Sequence, residues 1–114
     1  MLRPRAFLLC ASLLAAATAS HAQVMYGSIV GNVKDTSGAA VPEANVAVKE
    51  TATGFARQTR TNEVGQFQFP TVPGGVYEVT ISKTGFTTFS TTDVSVSPNA
   101  VARVDASLDV GQVS

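Results

Sequence analysis

From Ser28 onward the sequence alternates apolar and polar residues with a period of two, and this pattern most narrows what the chain can fold into. Ile29, Gly31 and Val33 alternate with Ser28, Asn32 and Lys34, and Ala44, Val46 and Val48 alternate with Asn45 and Lys49. Phe67 and Phe69 alternate with Gln66 and Gln68. Tyr77, Val79 and Ile81 alternate with Glu78, Thr80 and Ser82. Val94 and Val96 follow, then Ala102, Val104, Ala106 and Leu108 against Arg103, Asp105, Ser107 and Asp109, in a last strand spanning residues 100–110. Successive strand residues point to opposite faces, so each run reads as a strand with one dry and one wet side. The β-branched residues on the dry side suit a pleated surface.

Turn residues punctuate the runs. Asp35-Thr36-Ser37-Gly38 has Asp first and Gly fourth, as a type I turn prefers. Thr53-Gly54, Asn62-Glu63-Val64-Gly65, Pro73-Gly74-Gly75 and Ser97-Pro98-Asn99 serve similarly. Strands of this length and spacing predict an all-β fold, an antiparallel sandwich of about seven strands. Phe67, Phe69, Tyr77 and Ile81 are its expected core. Gly31 occupies an inward position, where a missing side chain admits close approach by a neighbour.

The first 22 residues have a different character. Arg3 and Arg5 precede an uncharged run from Ala6 to Ala17, and Ser20 and Ala22 sit at the −3 and −1 positions of a small-x-small site. That order is an export signal with a mature start at Gln23. As a helix the run is about 18 Å long, too short for a ~30 Å hydrocarbon core. Cys10 lies inside the apolar run, not after it, so lipidation is not expected.

Removal of residues 1–22 from the 114 leaves 92, with no Cys, His or Trp. Of eight basic residues six remain against eight acidic, a net charge of −2. Nothing in that balance invites nucleic acid. Without Cys or His there is no thiolate or imidazole zinc site and no Ser-His or Cys-His pair. No disulfide is available to the mature chain, so stability rests on an apolar core.

Several stretches together resemble the carboxypeptidase regulatory-like domain. Ser28–Asp35 followed by Ser37–Val46 is similar to its opening. Thr61-Asn62-Glu63-Val64-Gly65-Gln66-Phe67-Gln68-Phe69 matches a T-[ND]-x-x-G-x-[YF]-x-F stretch, and Pro73-Gly74-Gly75-Val76-Tyr77-Glu78-Val79 a P-x-G-x-Y-x-[VL] stretch. Gly85-Phe86 falls at a Gly-Phe position of the family. Leader, Gly27-Ser28-Ile29 start and Leu108–Ser114 ending together resemble the amino-terminal region of Oar-like TonB-dependent outer-membrane receptors of the Acidobacteria type. There the domain lies on the periplasmic side, ahead of a plug and barrel. The resemblance implies a prealbumin-like sandwich, related to immunoglobulin-like and starch-binding domains. It also implies an exported location, in the periplasm or on the periplasmic face of the outer membrane. The expected organisation is a signal peptide over 1–22, a β-sandwich over 23–110 and a linker beginning at 111–114. The sequence shows no plug or barrel strands, so the expectation is a fragment of a receptor or a free-standing copy.

The residues do not support an enzyme. The eight carboxylates, Asp35, Glu43, Glu50, Glu63, Glu78, Asp93, Asp105 and Asp109, fall mostly in turns or at outward strand positions. Glycoside hydrolysis needs two flanking a cleft. Asp35 and Glu43 border a turn-rich loop, but their spacing matches no calcium loop, so neither a metal nor a cofactor is expected. An internal Lys-Asn cross-link, found in related surface domains, is not expected. Lys34 points outward and the last strand has no Asn. Candidate sugar contacts are Phe55 and Phe86, since carbohydrate modules stack sugars on exposed aromatics; Tyr26 and Phe89 also fall outside the inward series, Tyr26 in an expected amino-terminal tail. Candidate partner residues are Arg57, Thr59 and Arg60, in one of two polar, Thr-rich stretches (55–62 and 87–97) that read as sheet edges. The leading expectation is a non-catalytic accessory or docking domain with an outer-membrane or periplasmic protein as partner. The alternative is a carbohydrate-binding module.

Overall fold

The computed structural model describes residues 25–111. The expected leader lies outside them, as does the expected linker apart from Gly111. Eight strands build two sheets. They are β1 (Tyr26–Asp35), β2 (Asn45–Glu50), β3 (Ala56–Arg60), β4 (Gln66–Pro73), β5 (Gly75–Ser82), β6 (Phe89–Val96), β7 (Val101–Arg103) and β8 (Ala106–Leu108). One sheet has β4 and β7 on either side of β1, with β8 also paired to β1; the other has the order β3-β2-β5-β6. The all-β sandwich expected from the alternation is therefore present.

The alternation sets the core. Ile29 and Val33 from β1, Val46 and Val48 from β2, Phe67 and Phe69 from β4, and Tyr77, Val79 and Ile81 from β5 are all buried between the sheets. The four expected core residues Phe67, Phe69, Tyr77 and Ile81 are at most 5% exposed. The rings of Phe67 and Phe69 meet edge to face at 6.2 Å, a favoured aromatic geometry.

The Thr-Asn-x-x-Gly stretch has a physical role at each position. Thr61, 3% exposed, accepts from the Ala44 amide at 2.8 Å and donates its hydroxyl to the Val41 carbonyl at 2.7 Å, satisfying buried backbone groups. Asn62 Oδ1 accepts from the amides of Val64 and Gln66, an Asx turn aiming the chain into β4. Gly65 adopts φ +79°, and a Cβ there would lie 2.5 Å from the Val33 carbonyl oxygen. Only glycine serves that turn without strain.

Three expectations need correction. The strand expected over 100–110 is broken in two at Val104 and Asp105, giving eight strands, in keeping with the roughly seven expected. β7 and β8 both run parallel to β1, against Ser28–Val30 and Val33–Asp35 respectively, so the sandwich is not wholly antiparallel. Between them the Asp105 carboxylate accepts from the Asn32 amide at 3.0 Å, taking the place of a ladder carbonyl. A Cβ on Gly31 would lie 1.7 Å from the Val104 carbonyl oxygen and 2.7 Å from the Phe67 ring. The break thus sits where the last strand crosses Gly31, a β1 position that lacks a side chain. Finally, Tyr26 opens β1, paired with Pro73, and is not in a tail.

Candidate binding face

β1 turns Ile29, Gly31 and Val33 inward, so Tyr26, Ser28, Val30 and Asn32 share the outer face of its sheet. Register places Gln68 beside Val30 and Gln66 beside Asn32 on β4, and Val101 beside Ser28 and Arg103 beside Val30 on β7. The face begins at an exposed aromatic, Tyr26, which is 48% exposed. It continues over about 20 Å, at roughly 3.3 Å per strand residue, to a cluster of amides and charges. Two shallow depressions lie along it. One, of about 300 Å³, is lined by Tyr26, Ser28, Pro70, Asn99 and Val101 among others. The other, of about 220 Å³, includes Asn32, Gln66, Gln68 and Arg103. Arg103 Nε meets Asp105 Oδ2 at 3.0 Å. The Arg103 guanidinium holds the Asp105 carboxyl below its ordinary pKa against the opposing cost of burial, with the Asn32 amide aiding. Asp105 is therefore an ionised acceptor at neutral pH. The face combines a flat apolar ring with amide, guanidinium and carboxylate groups.

The candidate sugar contacts Phe55 and Phe86 are both partly buried against the core. Phe55 packs edge-on to Tyr77 at 6.5 Å, and the Arg57 guanidinium lies 5.2 Å from the centre of its ring. Phe86 sits in the β5–β6 connection and bridges to Val110. Since Tyr77 and Phe86 flank opposite ends of β5, the structure does not bring the two rings together.

Arg57, Thr59 and Arg60 lie on β3, an outer strand of its sheet. The other expected edge stretch forms β6, the opposite outer strand. Arg57 and Thr59 pair with the inward residues Val48 and Val46, whereas Arg60 pairs with the exposed Asn45. Three residues apart on a strand, the two arginines point to opposite faces. Beside β3 a cleft of about 430 Å³ is lined by Thr59, Arg60, Asn62, Gln66, Phe67 and Gln68.

Asp35 spends its carboxylate on its own turn, accepting from the Ser37 amide and hydroxyl and the Ala39 amide. The Ser37 hydroxyl is the main cause holding its pKa below the ordinary value. Among the described residues no three His, Cys, Asp or Glu side chains gather as a metal site.

One carboxylate departs from the expected solvated surface. Glu50 is only 5% exposed. Its Oε2 accepts from the Thr53 amide at 2.5 Å and the Thr53 hydroxyl at 2.6 Å, which closes the β2–β3 turn and holds its pKa below the ordinary value. A Cβ on Gly75 would lie 2.7 Å from Glu50 Oε1. Burial, and secondarily the Glu50 charge, pushes the nearby Tyr77 phenol up; its hydroxyl donates to the Pro73 carbonyl. The signal was present in the parity of β2: Val46, Val48 and Glu50 share one face.

The sequence profile of the carboxypeptidase regulatory-like domain matches residues 28–109. The chain belongs to that family. It is a non-catalytic regulatory-like domain. No curated protein sequence matches it. Several solved structures share the fold. A candidate carbohydrate-binding protein from Pseudomonas aeruginosa is 18% identical with a TM-score of 0.55, the alignment covering 82% of this chain and 95% of that one. A second candidate carbohydrate-binding protein, from Bacteroides uniformis, is 21% identical with a TM-score of 0.57, over 71% of this chain and 40% of that one. A 3-chlorocatechol 1,2-dioxygenase from Rhodococcus opacus is 14% identical with a TM-score of 0.62, over 78% of this chain. This regulatory-like domain spans only 61% of the dioxygenase's length and 17% of the Bacillus anthracis TIE protein's. At these identities the likeness is one of fold, and a fold does not carry an activity.

Proposed function

We propose that this regulatory-like domain is an exported accessory module that binds carbohydrate on the outer face of the β4-β1-β7 sheet. The observation that carries the reading is that exposed Tyr26 shares one sheet face with Asn32, Gln66, Gln68 and Arg103, with Asp105 ion-paired to Arg103. A sugar ring offers an apolar face for stacking on a phenol ring. Its hydroxyls both donate and accept, matching side-chain amides, a guanidinium and an ionised carboxylate. The candidate carbohydrate-binding proteins that share the fold support the reading, most of all the one matched over nearly its whole length. Tyr26 is the stacking residue here; Phe55 and Phe86, each partly buried, supply further apolar contact only to a ligand reaching the ends of the other sheet.

The export signal over 1–22 supports placement outside the cytoplasm. The described residues contain no helix long and apolar enough to cross a membrane. The resemblance of leader and ending to Oar-like receptors supports a position on the periplasmic side of the outer membrane, where the domain would present glycans to the transport machinery.

Titration calorimetry with soluble starch, cellulose and chitin oligosaccharides tests the proposal. The expected result is saturable heat with one class, with Tyr26→Ala weakening binding about tenfold, equivalent to about 1.4 kcal/mol, and the melting temperature unchanged. Absence of heat with all three, together with unmoved amide resonances for Asn32, Gln68 and Arg103, would overturn it.

A further inference from the structure

A sandwich of two open sheets has edges that natural proteins blunt against unwanted strand pairing. The described edges differ sharply in this respect. β4 carries Pro70 and Pro73, which lack an amide donor, and a register shift opposite β1. β6 is interrupted by a register shift spanning Thr92 and Asp93, with Asp93 at φ +61°. β7 and β8 are each three residues long. β3 has none of these backbone devices: its five residues pair with β2 in unbroken register, with no proline or glycine, and its guard is the charge of Arg57 and Arg60.

The direction of its free groups follows from two hydrogen bonds. The Glu50 amide donates to the Phe55 carbonyl and the Thr61 amide to the Ala44 carbonyl, so odd-numbered residues from 55 to 61 face β2. By the antiparallel pattern, the amides and carbonyls of Ala56, Gln58 and Arg60 face away. None of these has a backbone partner among the described residues.

Charge selects what can pair there. β3 carries Arg57 and Arg60 on opposite faces and no acid. Lys49 stands beside Ala56 on the neighbouring strand. Among the described residues neither arginine has an ion-pair partner; the ion pair present is Arg103–Asp105. An antiparallel pairing of two copies along β3 would bring four arginines together, and like charges across a ladder destabilise it. The cleft beside the strand is lined by Thr59, Arg60, Asn62, Gln66, Phe67 and Gln68 and would lie next to the side chains of an added strand.

We propose that β3 is a docking edge for an extended acidic segment of a partner protein, which adds a fifth strand to the β3-β2-β5-β6 sheet by β-augmentation. Its backbone would bond to Ala56, Gln58 and Arg60, and its carboxylates would flank Arg57 on one face and Arg60 on the other. The strand belongs to the sheet opposite the proposed sugar face; its cleft shares Gln66 and Gln68 with that face, so protection at the outward β3 amides, which a sugar on the other sheet does not touch, separates the two readings.

The probe is a blocked hexapeptide, Thr-Glu-Glu-Thr-Glu-Glu, whose adjacent glutamates fall on both faces of a strand, compared with its lysine–threonine counterpart. Titration into the full chain is followed by amide NMR and hydrogen exchange. The expected result is slowed exchange, at least tenfold, at the Gln58 and Arg60 amides with the glutamate peptide alone, and weaker binding as salt rises. Gln58→Pro, which deletes one outward donor, should abolish protection at Arg60. The pair Arg57→Glu and Arg60→Glu should transfer binding to the lysine peptide, so the test survives poor folding of the proline variant. Equal binding of both peptides, no slowing at these amides, or their protection in a concentration-dependent dimer without peptide would overturn the proposal.

Discussion

The two sheets reach the same core by different means. The β3-β2-β5-β6 sheet is an antiparallel ladder in which side chains fill the interior: Val46, Val48, Tyr77, Val79 and Ile81 are each at most 1% exposed. The sheet around β1 also buries side chains, with Ile29, Val33, Val72 and Leu108 at most 1% exposed, but adds contacts of backbone on backbone. Val104 crowds Gly31, Val33 crowds Gly65, and a carboxylate replaces a carbonyl at Asn32. A core filled by side chains tolerates small losses of volume in proportion to the cavity left. A contact made by omitting a side chain has no such tolerance, because its failure is a collision with backbone. The contrast also has functional weight, since the crowded sheet carries the proposed sugar face and the ladder sheet the open edge.

The largest effect should come from Gly31→Val. Its Cβ would sit 1.7 Å from a backbone oxygen, so β7 cannot stay in place and no cooperative melt of native character should remain by calorimetry. If Gly31→Val melts within a few degrees of the parent, the backbone-contact account of that sheet is wrong. Phe69→Ala and Ile81→Ala compare the sheets through cavities. Phe69→Ala should cost about 3–5 kcal/mol and Ile81→Ala about 2–5 kcal/mol in denaturant unfolding. An Ile81 variant without loss would break the claim that side chains carry the ladder sheet. Thr61→Val keeps the shape but leaves the Ala44 amide unpaired, and should cost about 1–3 kcal/mol.

Acid should act on both sheets. Glu50 and Asp105 have folded pKa values held below their ordinary ones, by the Thr53 donors and by Arg103 respectively. Their contributions are therefore fully present above the ordinary carboxylate range and are lost as pH falls through the depressed folded values. Melting temperature should hold from pH 7 to about 5 and decline below pH 4. Glu50→Gln should flatten part of that decline. Asp105→Asn is the smallest change. Asp105 and Arg103 are each 57% exposed in their side chains, so the ion pair is worth at most about 1 kcal/mol, and the effect should shrink further in high salt.

The core was legible because parity is a local property. Phe67, Phe69, Tyr77 and Ile81 could be placed inside from their neighbours alone, and the turn at Asn62–Gly65 from its Asx and glycine chemistry. The same parity points Glu50 inward, and it was misjudged because a carboxylate is expected in water; what retains it is the Thr53 turn folding back over it. Phe55 and Phe86 stood out as aromatics off the inward series, yet whether two aromatics share a platform depends on which strand ends are neighbours.

By itself the sequence determined the alternating strands, the identity of the interior and the absence of Cys and His from Gln23 onward, because these follow from residue type and a period of two. Tertiary structure decided that β1 lies between β4 and the parallel β7 and β8, that Tyr26 heads an outer face, and that β3 alone among the described edges is left regular and open. Those outcomes depend on which distant strands become neighbours, and pairing between strands up to about 70 residues apart is set by the fit of whole surfaces, which no local pattern encodes.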